Sequence, residues 1–244
     1  MANGFDPRAT ATARPTTVGR ESVAFDAGLR SYMLSVYNYM ASGVLLTGIV
    51  AMLFASSGLA AQILMGPGLL KYLIMFSPLA FVLVMSFGMN RLSTGAAQAL
   101  FWAFATVMGL SMSSIFLVFT GQSIAMTFFA TAAAFVSLSL WGYTTKKDLS
   151  AFGTFLIMGV VGLLVAMLIN LFVQSTALQM AISFIGVLLF AGLTAYDTQR
   201  IKSLYAYVAG TDMMGKTAIM GALSLYLDFI NMFTFLLQFM GSRE

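Results

Sequence analysis

After Arg30 the chain breaks into seven apolar runs, at about 33–54, 71–90, 96–119, 123–143, 152–173, 177–199 and 217–240. Each meets the roughly 20 residues that an α-helix needs to cross about 30 Å of hydrocarbon. The segments between them, among them SSG, GPG, NRLSTG, TGQS, TTKKDLS and VQST, carry the small, hydroxylated and charged residues expected at water-exposed turns. The pattern predicts an all-α membrane protein of seven transmembrane helices, with Pro78 kinking the second. Composition agrees, because 60% of the residues are apolar and only 8% charged, against about 25% charged in a soluble domain.

Residues 1–30 mix Pro, Thr, Arg and acids and hold no apolar stretch of signal-peptide kind. They read as a flexible cytoplasmic N-terminal tail, and 31–244 as a single seven-helix transmembrane domain. Basic residues set the orientation. With the N-terminus inside, the inner segments hold Arg8, Arg14, Arg20, Arg30, Arg91, Lys146, Lys147, Arg200, Lys202 and Lys216, and the outer ones only Lys71 and Arg243. That bias predicts a cytoplasmic N-terminus, and seven crossings then place the C-terminus outside; a re-entrant last segment would return it to the cytoplasm. These bases are topology determinants, not a nucleic-acid footprint. Trp102, Trp141 and Tyr143, near run ends, read as interfacial anchors.

Charge within the runs is rare, which singles out two aspartates. Asp197 arrives near the cytoplasmic end of the sixth run, and Asp228 lies about 18 Å into the seventh, counted from Lys216. Ser224, Asp228, Asn231 and Gln238 share one helical face while the other faces are apolar, a pattern suited to the centre of a bundle. In the sixth run Gly186 and Gly192 allow close helix approach. An aspartate at the middle of a membrane helix costs about 2.5–3.5 kcal/mol on insertion scales, so by default it marks an ion pathway or proton site. The plain alternatives are an interhelix hydrogen bond for Asp228 and a solvated boundary charge beside Arg200 for Asp197. Should the two carboxyls meet, low dielectric and like charge oppose double ionisation, and they share one proton. Arg91, at the cytoplasmic end of the second run, is a candidate partner for ionised Asp197 that would tie the two runs together and close the inner mouth until Asp197 is protonated; the plain alternative is that Arg91 caps its helix and serves orientation.

Other classes fail on missing residues. A retinal-binding seven-helix protein needs a lysine in its last span, and 217–240 has none. A Ser/His intramembrane protease needs histidine, which is absent, as is cysteine. No Gly-rich phosphate loop or zinc constellation is present. The chain is expected to be no enzyme and to hold no resident cofactor.

The segment AGLTAYDTQRIK, 191–202, resembles the signature of the Bax inhibitor-1 family, the transmembrane Bax-inhibitor-motif proteins. LYLDFINMF, 225–233, is similar to that family's last span, and SPLAFVLVMSFGMNRLS, 77–93, to its second. The resemblance covers roughly 30–244. It implies a seven-helix fold with a central last helix, and a pair of aspartates from the last two helices acting as a pH-responsive element in calcium leak. By that match the pair falls on Asp197 and Asp228. Calcium prefers six to eight oxygens, so two carboxylates with Asn231, Ser224 and water would make a transient passing site. Bacterial relatives are also associated with modulating a membrane-bound ATP-dependent protease. This implies the alternative of a non-transporting regulator, with the tail and the inner loop 200–216 as contact surface. The chain departs from some relatives in having no acid within the second run and no charged cluster after the seventh. The expected setting is a bacterial inner membrane, with the lipid bilayer and calcium as partners, or the protease in the alternative.

Overall fold

In a computed structural model the backbone is described from Thr17 to Arg243 and the side chains from Phe25 to Arg243, Asn90 excepted. The helices are α1 (Thr17–Ser56), α2 (Leu59–Leu64), α3 (Leu70–Gly88), α4 (Thr94–Met112), α5 (Ile115–Val118), α6 (Gly121–Thr144), α7 (Ser150–Val173), α8 (Thr176–Val208) and α9 (Met213–Met240). A 3₁₀ turn, Met89–Arg91, follows α3. Seven segments are long and apolar enough to cross a membrane, with α4 and α5 together forming one of them. The chain is an all-α membrane protein.

Helix starts follow from the turn residues. Ser93, Thr120 and Ser175 each accept the backbone N–H three residues on, at 3.2, 3.3 and 3.3 Å, satisfying an orphan donor at the start of α4, α6 and α8. Gly210, at φ 73°, supplies the left-handed residue between α8 and α9, where a side chain would be strained. Pro78 sits inside α3, which continues through it to Gly88. Its missing N–H frees the carbonyl of Ile74, and the Ser77 hydroxyl donates to that oxygen at 3.0 Å. A neighbouring hydroxyl thereby satisfies the backbone group that lipid cannot.

α9 is the most enclosed helix. In its apolar window 67% of residues are buried, against 11–33% in the other six spans, and it packs against α1, α4, α6 and α8. Tyr226 is fully buried between Phe101 and Phe104, and its hydroxyl hydrogen-bonds with Thr47 at 2.6 Å. Thr47 also donates to the Ala105 carbonyl at 2.8 Å, so one threonine joins α1, α4 and α9. α3 and α7 lie outermost, α3 against α4 and α7 against α8.

Two sequence expectations are corrected. Residues 200–208, read as the start of a long inner loop, are helical, and the connection to α9 is only 209–212. The charges of Arg200 and Lys202 read as an end, but Ile201 and Tyr205 continue the buried face of α8. Of the segment read as a tail, 17–30 belongs to α1, and 1–16 lies outside the described residues. Here Phe25 and Tyr32 stack on Tyr205 at 5.0 and 5.4 Å, and Gly28 sits directly under the Tyr205 hydroxyl. α1 and α8 therefore continue together past their apolar spans. Trp102 is half-buried and packs on Phe101 and Tyr39 at 5.6 and 6.4 Å, so it is an internal contact as well as an edge residue.

Candidate functional site

The tight 209–212 turn folds α9 back along α8. Asp197 on α8 and Asp228 on α9 come close enough across that interface for the two carboxyl groups to interact. Asp228 is 4% exposed, and its Oδ2 is buried with no donor among the described residues. An ionised carboxylate only accepts hydrogen bonds, so a bond between the two groups requires a proton on one of them.

The pair spans an electrostatic boundary. Asp228 is enclosed, whereas the Asp197 side chain is 14% exposed and reaches Arg200, 57% exposed, at 3.9 Å. This is the one ion pair among the described residues. The cation beside Asp197 is therefore three residues on in its own helix. Arg91, the candidate read from the sequence, lies exposed in the 3₁₀ turn after α3 and makes no ion pair with any of the described residues. The salt bridge does not tie α3 to α8; the carboxyl contact ties α8 to α9.

The remaining polar row of α9 divides by role. Asn231 is half-buried and donates to the Leu227 carbonyl at 2.8 Å, which leaves its own oxygen as an acceptor one turn from Asp228. Ser224 is half-buried one turn before Asp228. Gln238 belongs instead to a strap at the other end of the helix, accepting from Gln179 at 2.8 Å while Gln179 accepts from Asn170 at 3.1 Å. Among the described residues no group of three or more acidic, histidine or cysteine side chains could hold a metal. The two carboxyls with Asn231 and Ser224 make an incomplete oxygen shell.

The segment around Asp197 fixes that carboxyl by gripping its neighbours. Thr194 and Thr198 donate to carbonyls one turn back, both at 2.8 Å, and so add no unpaired hydroxyl to the core. Thr198 also hydrogen-bonds with Ser139 at 2.9 Å, and Ser139 with Tyr37 at 2.6 Å, a hydroxyl chain crossing α8, α6 and α1. Gln199 clamps the α6–α7 turn by accepting from Leu149 N at 2.9 Å and donating to Lys147 O at 2.7 Å. Lys202 donates to the Tyr143 carbonyl at 2.7 Å and lies 4.6 Å over its ring. In the same turn Asp148 accepts from Ser150, which holds its carboxyl below the ordinary 3.8. Gly142 of α6 abuts the backbone of Ala195, and Gly153 of α7 lies under the ring of Tyr196. Gly186 and Gly192 receive side chains, Phe235 and Leu156, and the backbone-to-backbone approach occurs at Gly142. The roles of Gln199, Lys202 and Gly142 were not read from the sequence.

A family model described as inhibitor of apoptosis-promoting Bax1 matches residues 29–244. The chain is 46% identical to a Rickettsia prowazekii protein over 93% of this chain and 96% of that one. It is 45% identical to a Caulobacter vibrioides protein, over 95% and 96% respectively. With the inner membrane protein YbhL of Escherichia coli K12 it shares 44% identity over 89% of this chain and 94% of the relative. The matched region runs from within α1 to the end of α9 and contains the Asp197–Asp228 pair, so the chain is an integral membrane protein that belongs to the Bax inhibitor-1 family.

Proposed function

We propose that this protein mediates a pH-sensitive leak of calcium across a bacterial inner membrane, with Asp197 and Asp228 as the element that responds to protons. The observation that supports this most is the buried Asp228 carboxyl, whose Oδ2 has no hydrogen-bond partner among the described residues and which lies beside the carboxyl of Asp197. A shared proton joins α8 to α9 at that point. Losing it leaves two like charges face to face in a low dielectric, which either separates the helices or draws in a cation. Calcium fits the donor chemistry, since carboxylate, amide and hydroxyl oxygens are the hard ligands it prefers. Two carboxylates, Asn231, Ser224 and water supply a loose shell, which favours passage over storage. Arg200 competes for Asp197 at the boundary and keeps that end from holding the ion tightly.

The inner-membrane setting rests on the name of the Escherichia coli relative and on the sevenfold span pattern. The basic bias supports a cytoplasmic N-terminus, an external C-terminus and a pair lying toward the cytoplasmic side. Purified protein in calcium-loaded liposomes should release calcium faster than empty vesicles, and faster as pH rises and the shared proton leaves. No release at any pH would remove the leak reading and favour a regulator of a membrane-bound ATP-dependent protease.

A further inference from the structure

α1 and α6 both pack on α9 but leave a cleft of about 830 Å³ between them, with Phe229 in its wall. A second recess of about 290 Å³ continues past Val44, Phe128 and Phe229, which line both. The rims, Leu34 and Leu45 on α1 and Val136 and Leu140 on α6, are 51–64% exposed and lie within the membrane spans. The cleft therefore opens toward hydrocarbon. Met33 and Met40, buried in the wall, are flexible enough to adapt to a chain of irregular shape.

One end differs chemically from the rest. Arg30 stands exposed at the rim, and Tyr143, which lines the same end, carries Lys202 over its ring at 4.6 Å. The Tyr37 and Ser139 hydroxyls nearby are already engaged with each other, so the polar capacity left there is cationic. From Arg30 to Leu45 the α1 wall runs about 22 Å. That exceeds the roughly 15 Å depth of one hydrocarbon leaflet. We propose that the α1/α6 cleft binds one anionic phospholipid, its acyl chain along the apolar wall and its phosphate held by Arg30 and Lys202. A zwitterionic lipid would fill the wall equally but would gain less from two cations at the rim. Neither aspartate of the pair lines this site, and its binding can be read without measuring ion flux.

Photoactivatable phosphatidylglycerol and phosphatidylcholine probes with identical chains, added to the full-length protein in nanodiscs, test this directly. Crosslinks mapped by mass spectrometry should fall on residues 33–45 and 132–140, with the phosphatidylglycerol probe favoured about 25-fold, at about fivefold for each of the two basic residues near the anionic headgroup. Arg30→Gln should lower that preference about fivefold. Ala132→Phe, which fills the cleft, should reduce labelling by both probes there and leave labelling of the outer faces of α3 and α7 unchanged. Equal labelling by the two probes, untouched by Arg30→Gln, or labelling spread evenly over α3 and α7, would reduce the cleft to ordinary boundary-lipid contact and overturn the proposal.

Discussion

Replacing Gly142 by alanine would drive a methyl group into the backbone of α8. The added Cβ would lie 2.9 Å from both the Cα and the carbonyl carbon of Ala195, and closer still to its oxygen. Carbon atoms rest at about 3.5–4.0 Å, so α6 and α8 must part by roughly 0.6–1.1 Å. Backbone cannot rotate aside as a side chain can. The same separation stretches the Ser139–Thr198 bond, now 2.9 Å, out of hydrogen-bonding range. Overpacking of this kind costs about 1–3 kcal/mol, and loss of the buried hydroxyl pair about 0.5–1.5 kcal/mol more. Steric trapping in bicelles would measure the loss at equilibrium, which a heating scan of an irreversibly unfolding membrane protein does not. Gly162→Ala on α7 is the matched control, because nothing lies within 4 Å of its added Cβ, and it should be neutral or slightly stabilising. A Gly142→Ala protein as stable as the Gly162→Ala protein would refute the close approach of α6 and α8.

Gln199→Leu should free the α6–α7 turn, raising amide exchange at Leu149 about five- to tenfold, while the bundle stays folded. Thr47→Val should destabilise more than Tyr226→Phe, because Thr47 bonds both Ala105 and Tyr226; about 1–3 kcal/mol against about 0.5–1.5 kcal/mol is expected in the same trapping assay. Reporter fusions should find the N-terminus cytoplasmic and the C-terminus external, and a cytoplasmic C-terminus would break the sevenfold crossing order.

The bundle was legible because lipid leaves few options: each apolar run became a helix, and the starts of three are marked by the capping residues Ser93, Thr120 and Ser175. Where charges interrupt an apolar face, reading by composition stopped early. Phe25, Leu29 and Tyr32 follow helical spacing across the charged segment before the first span, and Ile201 and Tyr205 do so after Arg200. At the site, the rarity of intramembrane acids exposed Asp197 and Asp228, and the family resemblance paired them. The Arg91 assignment sought a cation across the bundle, whereas Arg200, one turn away on the same helix, reaches Asp197 with no interhelix cost. Gln199 and Lys202 could not be read locally, since their partners lie 50 or more residues away, in the α6–α7 turn and at the end of α6, and acquire meaning only when α6 and α7 close on α8.

The central claim is that Asp197 and Asp228 act as one proton-responsive unit. The most direct measurement is the pH profile of calcium release from liposomes bearing the parent protein, Asp197→Asn, Asp228→Asn and the double variant. Groups that share a proton act non-additively, so each single variant should flatten the profile and the double variant should match the singles. Release that keeps the parent's pH dependence in the double variant would contradict the claim and leave the two carboxyls as a contact holding α8 to α9.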